Sequence, residues 1–273
     1  MTSPTRQGRA KPIVAICAFK GGVGKTTTVA NLGLELGKRH RVLLVDLDPQ
    51  GNLLGALDGL DTEKGPATSS SLLADSADGQ GELSGLTKVT YEGGGVDLLP
   101  AGPELTQLEE KLTISTGGER ALTRLLTGHS YDLVLIDTRP SDGRLTLNGV
   151  CASTSVLGVV NPARWSAEGV GKIQRFTKRS NDLGISNTVY AGTLVTKVES
   201  GKRILRDQVL EDLGTADISM IEPFVPLRTA AGESEYLGIP VVVSEPGNPV
   251  AKAYKEIASL ISGSIPVHEA VTA

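Results

Sequence analysis

Ile13-Val14-Ala15-Ile16-Cys17-Ala18-Phe19-Lys20-Gly21-Gly22-Val23-Gly24-Lys25-Thr26-Thr27-Thr28 is the stretch that decides the fold. An apolar run, a glycine-rich turn and a hydroxyl-rich helix start follow one another in the order of a phosphate-binding loop. Glycines at 21, 22 and 24 let backbone N–H groups converge on phosphate oxygens without Cβ clashes. The helix that follows points its positive N-terminal end at the same charge. Lys25 then reaches the β- and γ-phosphates, the Thr26 hydroxyl is placed to ligate Mg²⁺, and Thr27 donates toward the α-phosphate. The plain alternative is a strand-to-helix turn with incidental Lys and Thr. The joint agreement of spacing, strand and helix argues against it.

Short aliphatic runs recur along the chain at Ile13–Cys17, Val42–Asp46, Val96–Leu99, Leu133–Asp137, Val156–Val160, Val189–Val195 and Val241–Val243. They read as buried strands. Between the first two, Lys25 to Arg39 puts Val29, Leu32 and Leu36 on one helical face, as a crossover helix requires. Further helices are predicted at Glu104–Leu112, Glu119–Leu126, Leu145–Ala152, Ala167–Asn181, Arg203–Leu213 and Val250–Ile261. The alternation implies an α/β protein with a doubly wound, mostly parallel sheet. Residues 60–95 are rich in Gly, Ser, Thr and Asp, and read as a surface excursion with a short helix near Ser71–Leu73, or as a flexible insertion, with no second core. The expected organisation is a disordered leader over 1–12, a single domain over 13–262 and a flexible tail over 263–273.

Bulk properties narrow the class. The 273 residues are 39% hydrophobic and 21% charged, the composition of a soluble globular protein. A net charge of −4 excludes a protein coated in positive charge but not a local basic patch. Cys17 and Cys151 lie far apart inside apolar segments, which favours buried free thiols over a disulfide or metal site and fits a reducing cytoplasm. No apolar run approaches the roughly 18 residues of a membrane span, and the first residues lack the apolar core of a signal peptide.

Two acidic strand ends complete the phosphate site. Asp46-Leu47-Asp48-Pro49-Gln50-Gly51-Asn52 follows the second strand, so its polar groups fall at the carboxyl edge beside the loop. Asp46 and Asp48 share a strand face by the period of two, although Asp48-Pro49 also reads as a simple turn start. Leu133-Val134-Leu135-Ile136-Asp137 has the shape of a Walker B strand, whose acid holds Mg²⁺ directly or through water.

The loop departs from the plain G-x-x-x-x-G-K-[ST] pattern, since Phe19 sits where the first glycine belongs and Lys20 precedes the glycine pair. Lys-Gly-Gly-x-Gly-Lys-Thr resembles the deviant phosphate loop of the ParA/MinD group of ATPases. The resemblance implies a P-loop (SIMIBI-like) fold, binding of ATP and Mg²⁺, and a homodimer in which Lys20 reaches the partner's nucleotide. It also implies that Asp48 orients or activates the attacking water and that Asp46 supports the metal shell. A cation at the transferring phosphoryl group is sensible in any case. The likeness extends through Leu145–Asn148, Glu168-Gly169, Gly238–Pro240 and Ala251–Tyr254, and covers most of residues 13–262. Pro226, at the end of an expected strand over Phe224–Pro226, resembles the family's adenine-side loop. Where relatives continue the Walker B strand with two prolines and a serine, this chain has Arg139-Pro140-Ser141. Arg139 could act at the γ-phosphate, pair with a nearby carboxylate or alter hydrolysis.

ParA relatives that move DNA bind it without sequence preference in the ATP state. Candidates here are Lys172, Arg175 and Arg179 along one predicted helix with Lys178 beside them, Lys202, Arg203 and Arg206 opening another, and Arg228. Such stripes neutralise phosphates, although a single stripe also reads as a solvated helix face. The resemblance therefore implies a slow ATPase for plasmid or chromosome partition, cytoplasmic and nucleoid-associated, stimulated by a ParB-like centromere-binding partner. With only a dozen residues before the first strand, no helix-turn-helix for operator binding is expected. A MinD-like regulator would end in a basic amphipathic helix for the membrane, and the unpatterned tail after Gly263-Ser264-Ile265-Pro266 makes membrane docking unexpected. Iron–sulfur relatives need paired cysteines, and a tyrosine-kinase relative needs a C-terminal tyrosine cluster. An ATPase positioning a protein cargo shares the same chemistry and differs only in its surface.

Overall fold

The computed structural model describes residues 11–162, 166–199, 201, 207–208, 211–214 and 218–263. β1 (Ile13–Cys17), β2 (Val42–Asp46), β6 (Leu133–Asp137) and β7 (Ser155–Val160) form the centre of the sheet and are almost wholly buried. Continuous apolar runs are what parallel strands covered on both faces require. β8 (Val189–Val195) and the short β9 (Met220–Ile221) extend one side. β5 (Gly94–Leu99), β4 (Thr87–Tyr91) and β3 (Asp61–Glu63) extend the other. The described strands make one sheet in the order β3-β4-β5-β2-β6-β1-β7-β8-β9. Only the β3–β4 and β4–β5 pairings are antiparallel.

The period of two divides each strand between two cores. Ile16, Leu44, Leu135 and Leu157 face α1 (Lys25–Gly37), α9 (Val241–Ser244) and α10 (Pro249–Ser262). Ala15, Leu43, Val134 and Val156 face the opposite layer. That layer holds α3 (Ser69–Ala77), α4 (Leu105–Ile114), α5 (Ala121–Leu125), α6 (Arg144–Ala152) and α7 (Ser166–Asp182). α2 (Asn52–Gly55) and α8 (Thr229–Leu237) flank the carboxyl edge. Register brings the strand ends together there: Ile16 is level with Asp137, and Asp137 is level with Asp46.

Several expectations need correction. Val241–Val243 is not a strand; it is the helical turn of α9, begun at Pro240. Its Val242 N–H donates to Asn31 Oδ1 at 3.1 Å, and Val241 and Val242 are buried in the α1 core, so a helical turn satisfies both the donor and the apolar burial. Phe224–Pro226 is reduced to a single bridge between Val198 and Pro226. Residues 60–95 carry the helix expected near Ser71–Leu73, longer than read, and add strands that were not expected. They build β3, α3 and β4, with α3 held by a capping box between Thr68 and Ser71 and with Leu72 and Leu73 packed into the α4–α7 core. The expected helix over Arg203–Leu213 lies mostly outside the described residues, as do most of the leader and tail.

Candidate phosphate and metal site

The chain turns from β1 into α1 through Gly22 and Gly24, whose φ values of +73° and +89° favour glycine. Gly24 is the N-cap, so α1 starts without a side-chain cap and its first N–H groups face the loop. Phe19, standing at the missing first glycine, packs edge-on against Phe176 of α7 with ring centroids 5.8 Å apart. A cleft of about 570 Å³ opens over the loop. Lys20 and Gly21–Thr27 line it together with Asn31, Asp48 and Lys197.

Asp137 organises the site from beneath. Lys25, 7% exposed, donates from Nζ to Asp137 Oδ1 at 2.7 Å, and Thr26 donates from Oγ1 to Asp137 Oδ2 at 2.6 Å. Burial alone would lower the Lys25 pKa, but the charge and hydrogen bond of Asp137 outweigh it, leave it raised and hold the ammonium charged. Asp48 Oδ2 stands 4.0 Å from the same ammonium. Its other oxygen accepts the Gln50 N–H at 3.1 Å, which closes the turn after β2.

Asp46, expected to support the metal shell, is held by the backbone of its own loop. Each of its carboxylate oxygens already accepts a backbone N–H, from Asp48 at 2.9 Å and from Leu53 at 3.2 Å. It therefore shapes the loop that carries Asp48. Burial, reinforced by the charge of Asp137, pushes its carboxyl up to about 8. Cys17 and Cys151 are free thiols pushed up by burial to about 11 and about 12, so neither is a ready nucleophile at neutral pH.

The donor set fits a magnesium ion. Thr26 lines the cleft and its Oγ1 meets Oδ2 of the buried Asp137 beneath it, two hard oxygens of the kind Mg²⁺ takes while completing its shell with water and phosphate oxygens. No cluster of three His, Cys, Asp or Glu suited to a metal occurs among the described residues.

Lys20 is exposed at the cleft and makes no ion pair among the described residues. Arg139 is turned to a carboxylate: its guanidinium pairs with Glu109 of α4, whose other oxygen accepts the Leu145 N–H at 3.3 Å. Pro226 bridges to Val198 and is absent from the cleft lining. Lys172, Arg175, Lys178 and Arg179 are exposed on α7, but Lys172 pairs with Glu168 at 3.0 Å and Lys178 with Asp182 at 2.6 Å. Arg228 donates to the Leu227 carbonyl. Lys202, Arg203 and Arg206 lie outside the described residues. The sequence reading missed Asn31, Glu109, Thr196 and Lys197. The carboxyl-edge rule could have flagged the last two, which follow β8 directly.

A family model described as an AAA domain matches residues 11–188. The chromosome-partitioning ATPase Soj of Thermus thermophilus is 34% identical, covering 92% of this chain and 96% of that protein. The sporulation initiation inhibitor protein Soj of Bacillus subtilis is 32% identical, covering 92% and 98%. A solved structure of cobyrinic acid a,c-diamide synthase from Mycobacterium smegmatis, with a bound ATP analog and magnesium, is similar with a TM-score of 0.75. It is 31% identical and covers 93% of this chain and 94% of that one. With a deviant phosphate loop, two acidic strand ends and relatives matched over nearly their whole length, the chain belongs to the ParA-type partition ATPases.

Proposed function

We propose that this protein is an ATP-hydrolysing switch for DNA segregation that dimerises and binds DNA nonspecifically in its ATP state. The observation that carries the reading is the convergence of Lys25 and Thr26 on the buried Asp137, while Lys20 stands exposed at the same cleft with no ion pair among the described residues. ATP binds over Gly21–Thr27, and Lys25 exchanges part of its contact with Asp137 for the phosphates. Thr26 and Asp137 hold Mg²⁺, directly or through water, and Asp46 supports that shell by fixing the loop. The ion supplies neutralisation of phosphate charge. Asp48 orients the water that attacks the γ-phosphorus as the bond to ADP breaks. Lys20 contacts the nucleotide of a second copy, so dimerisation and hydrolysis are linked. Turnover is slow until a ParB-like partner stimulates it. No helix of the described residues is long and apolar enough to cross a membrane, and the proposed location is the cytoplasm, on the nucleoid.

The reading follows the Soj relatives and not the diamide-synthase name of the Mycobacterium smegmatis chain. Neither cysteine lines the cleft, and burial holds both thiols protonated. The pairing of Lys172 and Lys178 with their own helix acids favours one second reading, an ATPase that positions a protein cargo. Retention of nonspecific duplex DNA with ATP, with ADP and without nucleotide, at low and moderate salt, separates the two. ATP-dependent, salt-sensitive retention is expected for the segregation switch, and absence of binding in every state leaves the cargo reading.

A further inference from the structure

Among the described residues, Lys197 is the one non-glycine residue with a positive φ, +55°, a conformation disfavoured for any residue with a Cβ. It follows β8 at the carboxyl edge and lines the cleft over the phosphate loop. Its Nζ donates to the Gly22 carbonyl at 2.7 Å. The residue before it, Thr196, is buried and donates from Oγ1 to the Val23 carbonyl at 2.5 Å, with the Val160 carbonyl 3.1 Å away. Two successive carbonyls of the phosphate loop are thus tied to two successive residues after β8. In a trans peptide the N–H points opposite the C=O. Drawing the Gly22 and Val23 carbonyls toward Thr196 and Lys197 therefore turns the N–H groups of Val23 and Gly24 the other way. A peptide flipped at this point would offer a carbonyl oxygen to an anion.

We propose that Lys197 is a positioning residue that presets the phosphate loop for the nucleotide by holding the Gly22 carbonyl, an assignment that rests on the nucleotide reading of the cleft. The left-handed backbone is the cost of that reach, and the ammonium's bond to Gly22, with Thr196 held beside it, offsets it. Among the described residues no acidic side chain pairs with Lys197, so the Gly22 carbonyl is the partner its ammonium serves.

The test compares the parent with Lys197→Asn and Lys197→Gly. Both variants tolerate a positive φ, and neither reaches Gly22. Fluorescent ADP and ATP analogues are titrated into each protein, and the nucleotide-free forms are melted in parallel. Affinity is expected to fall roughly tenfold for both nucleotides, the usual worth of a charge-assisted hydrogen bond, while the Tm of the nucleotide-free variants stays level or rises as the strain is relieved. Unchanged affinity in both variants overturns the assignment. A loss confined to ATP also overturns it, because it places the ammonium on the γ-phosphate and not on the loop. Failure of the parent itself to bind either nucleotide would sink the nucleotide reading and this assignment together, a result distinct from a loss seen only in the variants.

Discussion

The Lys25–Asp137 pair predicts opposite pH dependences for its two single variants. In Lys25→Met the buried Asp137 loses the ammonium that opposes burial, and the native state is expected to keep the carboxyl protonated. The unfolded chain releases that proton above roughly pH 4. The native state then binds more protons than the unfolded state, so stability falls as pH rises. At no more than about 1.4 kcal/mol per pH unit, the loss relative to the parent should be larger at pH 7.5 than at pH 5 by at most about 3 kcal/mol, less what the parent itself loses because burial raises Asp137 there too. In Asp137→Asn the sign reverses. Burial now favours neutral Lys25, the unfolded chain keeps the proton to roughly pH 10, and the deficit shrinks as pH rises. That slope should be shallower, since Asp48 stays 4.0 Å from the ammonium. Urea unfolding of the nucleotide-free proteins in chelator, at pH 5, 6 and 7.5, measures both. A Lys25→Met deficit of equal size at pH 5 and 7.5 would mean that Asp137 stays ionised without its partner, and the coupling between the two would be disproved.

Three further outcomes follow from single contacts. Gly59→Ala puts a Cβ 2.2 Å from the Leu237 carbonyl and 2.6 Å from Ile239, so the turn after α2 must move away from the end of α8. A cost of about 1–3 kcal/mol and a Tm lower by several degrees are expected by thermal melting, and an unchanged Tm would contradict the packing. Arg139→Ala should leave ATP affinity unchanged and cost less than about 1 kcal/mol of stability, since the guanidinium is 33% exposed on Glu109 and not at the cleft. A clear loss of nucleotide affinity in titration would return Arg139 to the γ-phosphate. On α7, reversing Arg175 and Arg179 should weaken ATP-state DNA retention and flatten its salt slope by about 0.9 for each phosphate no longer neutralised. Reversing Lys172 and Lys178, already paired with Glu168 and Asp182, should do less, and the opposite order would move the DNA face elsewhere.

What the sequence made legible is what lies contiguous in it. The phosphate loop, the Asp46–Asn52 segment and the Walker B strand each carry their chemistry within a few residues, and the sheet sets them side by side because Ile16, Asp137 and Asp46 share a register. The parallel centre was equally plain, since strands covered on both faces are aliphatic throughout. The β3–β4 edge was not, although Val96–Leu99 of β5 was. Thr87–Tyr91 alternates buried and exposed, but two of its five residues are threonines, so the period of two is hidden from an apolar count. Val241–Val243 misled for the opposite reason: its β-branched run fits a strand, yet Asn31 on α1 supplies the hydrogen bond that a sheet neighbour would have given.

Contacts across the chain explain the remaining gaps. Lys197 meets Gly22 and Arg139 meets Glu109 only after folding, and nothing local names either partner. Glu109 shows what such a contact can do. One oxygen takes the Arg139 guanidinium and the other takes the Leu145 N–H, so a single carboxylate on α4 ties both ends of the segment after β6. In the ParA-type pattern a proline stands at this position and restricts the backbone through its ring. Here a side-chain ion pair does the restraining, which fixes the segment without fixing φ. The segment after β6 is thus held here by contacts between side chain and side chain and between side chain and backbone, and Glu109 makes both of them.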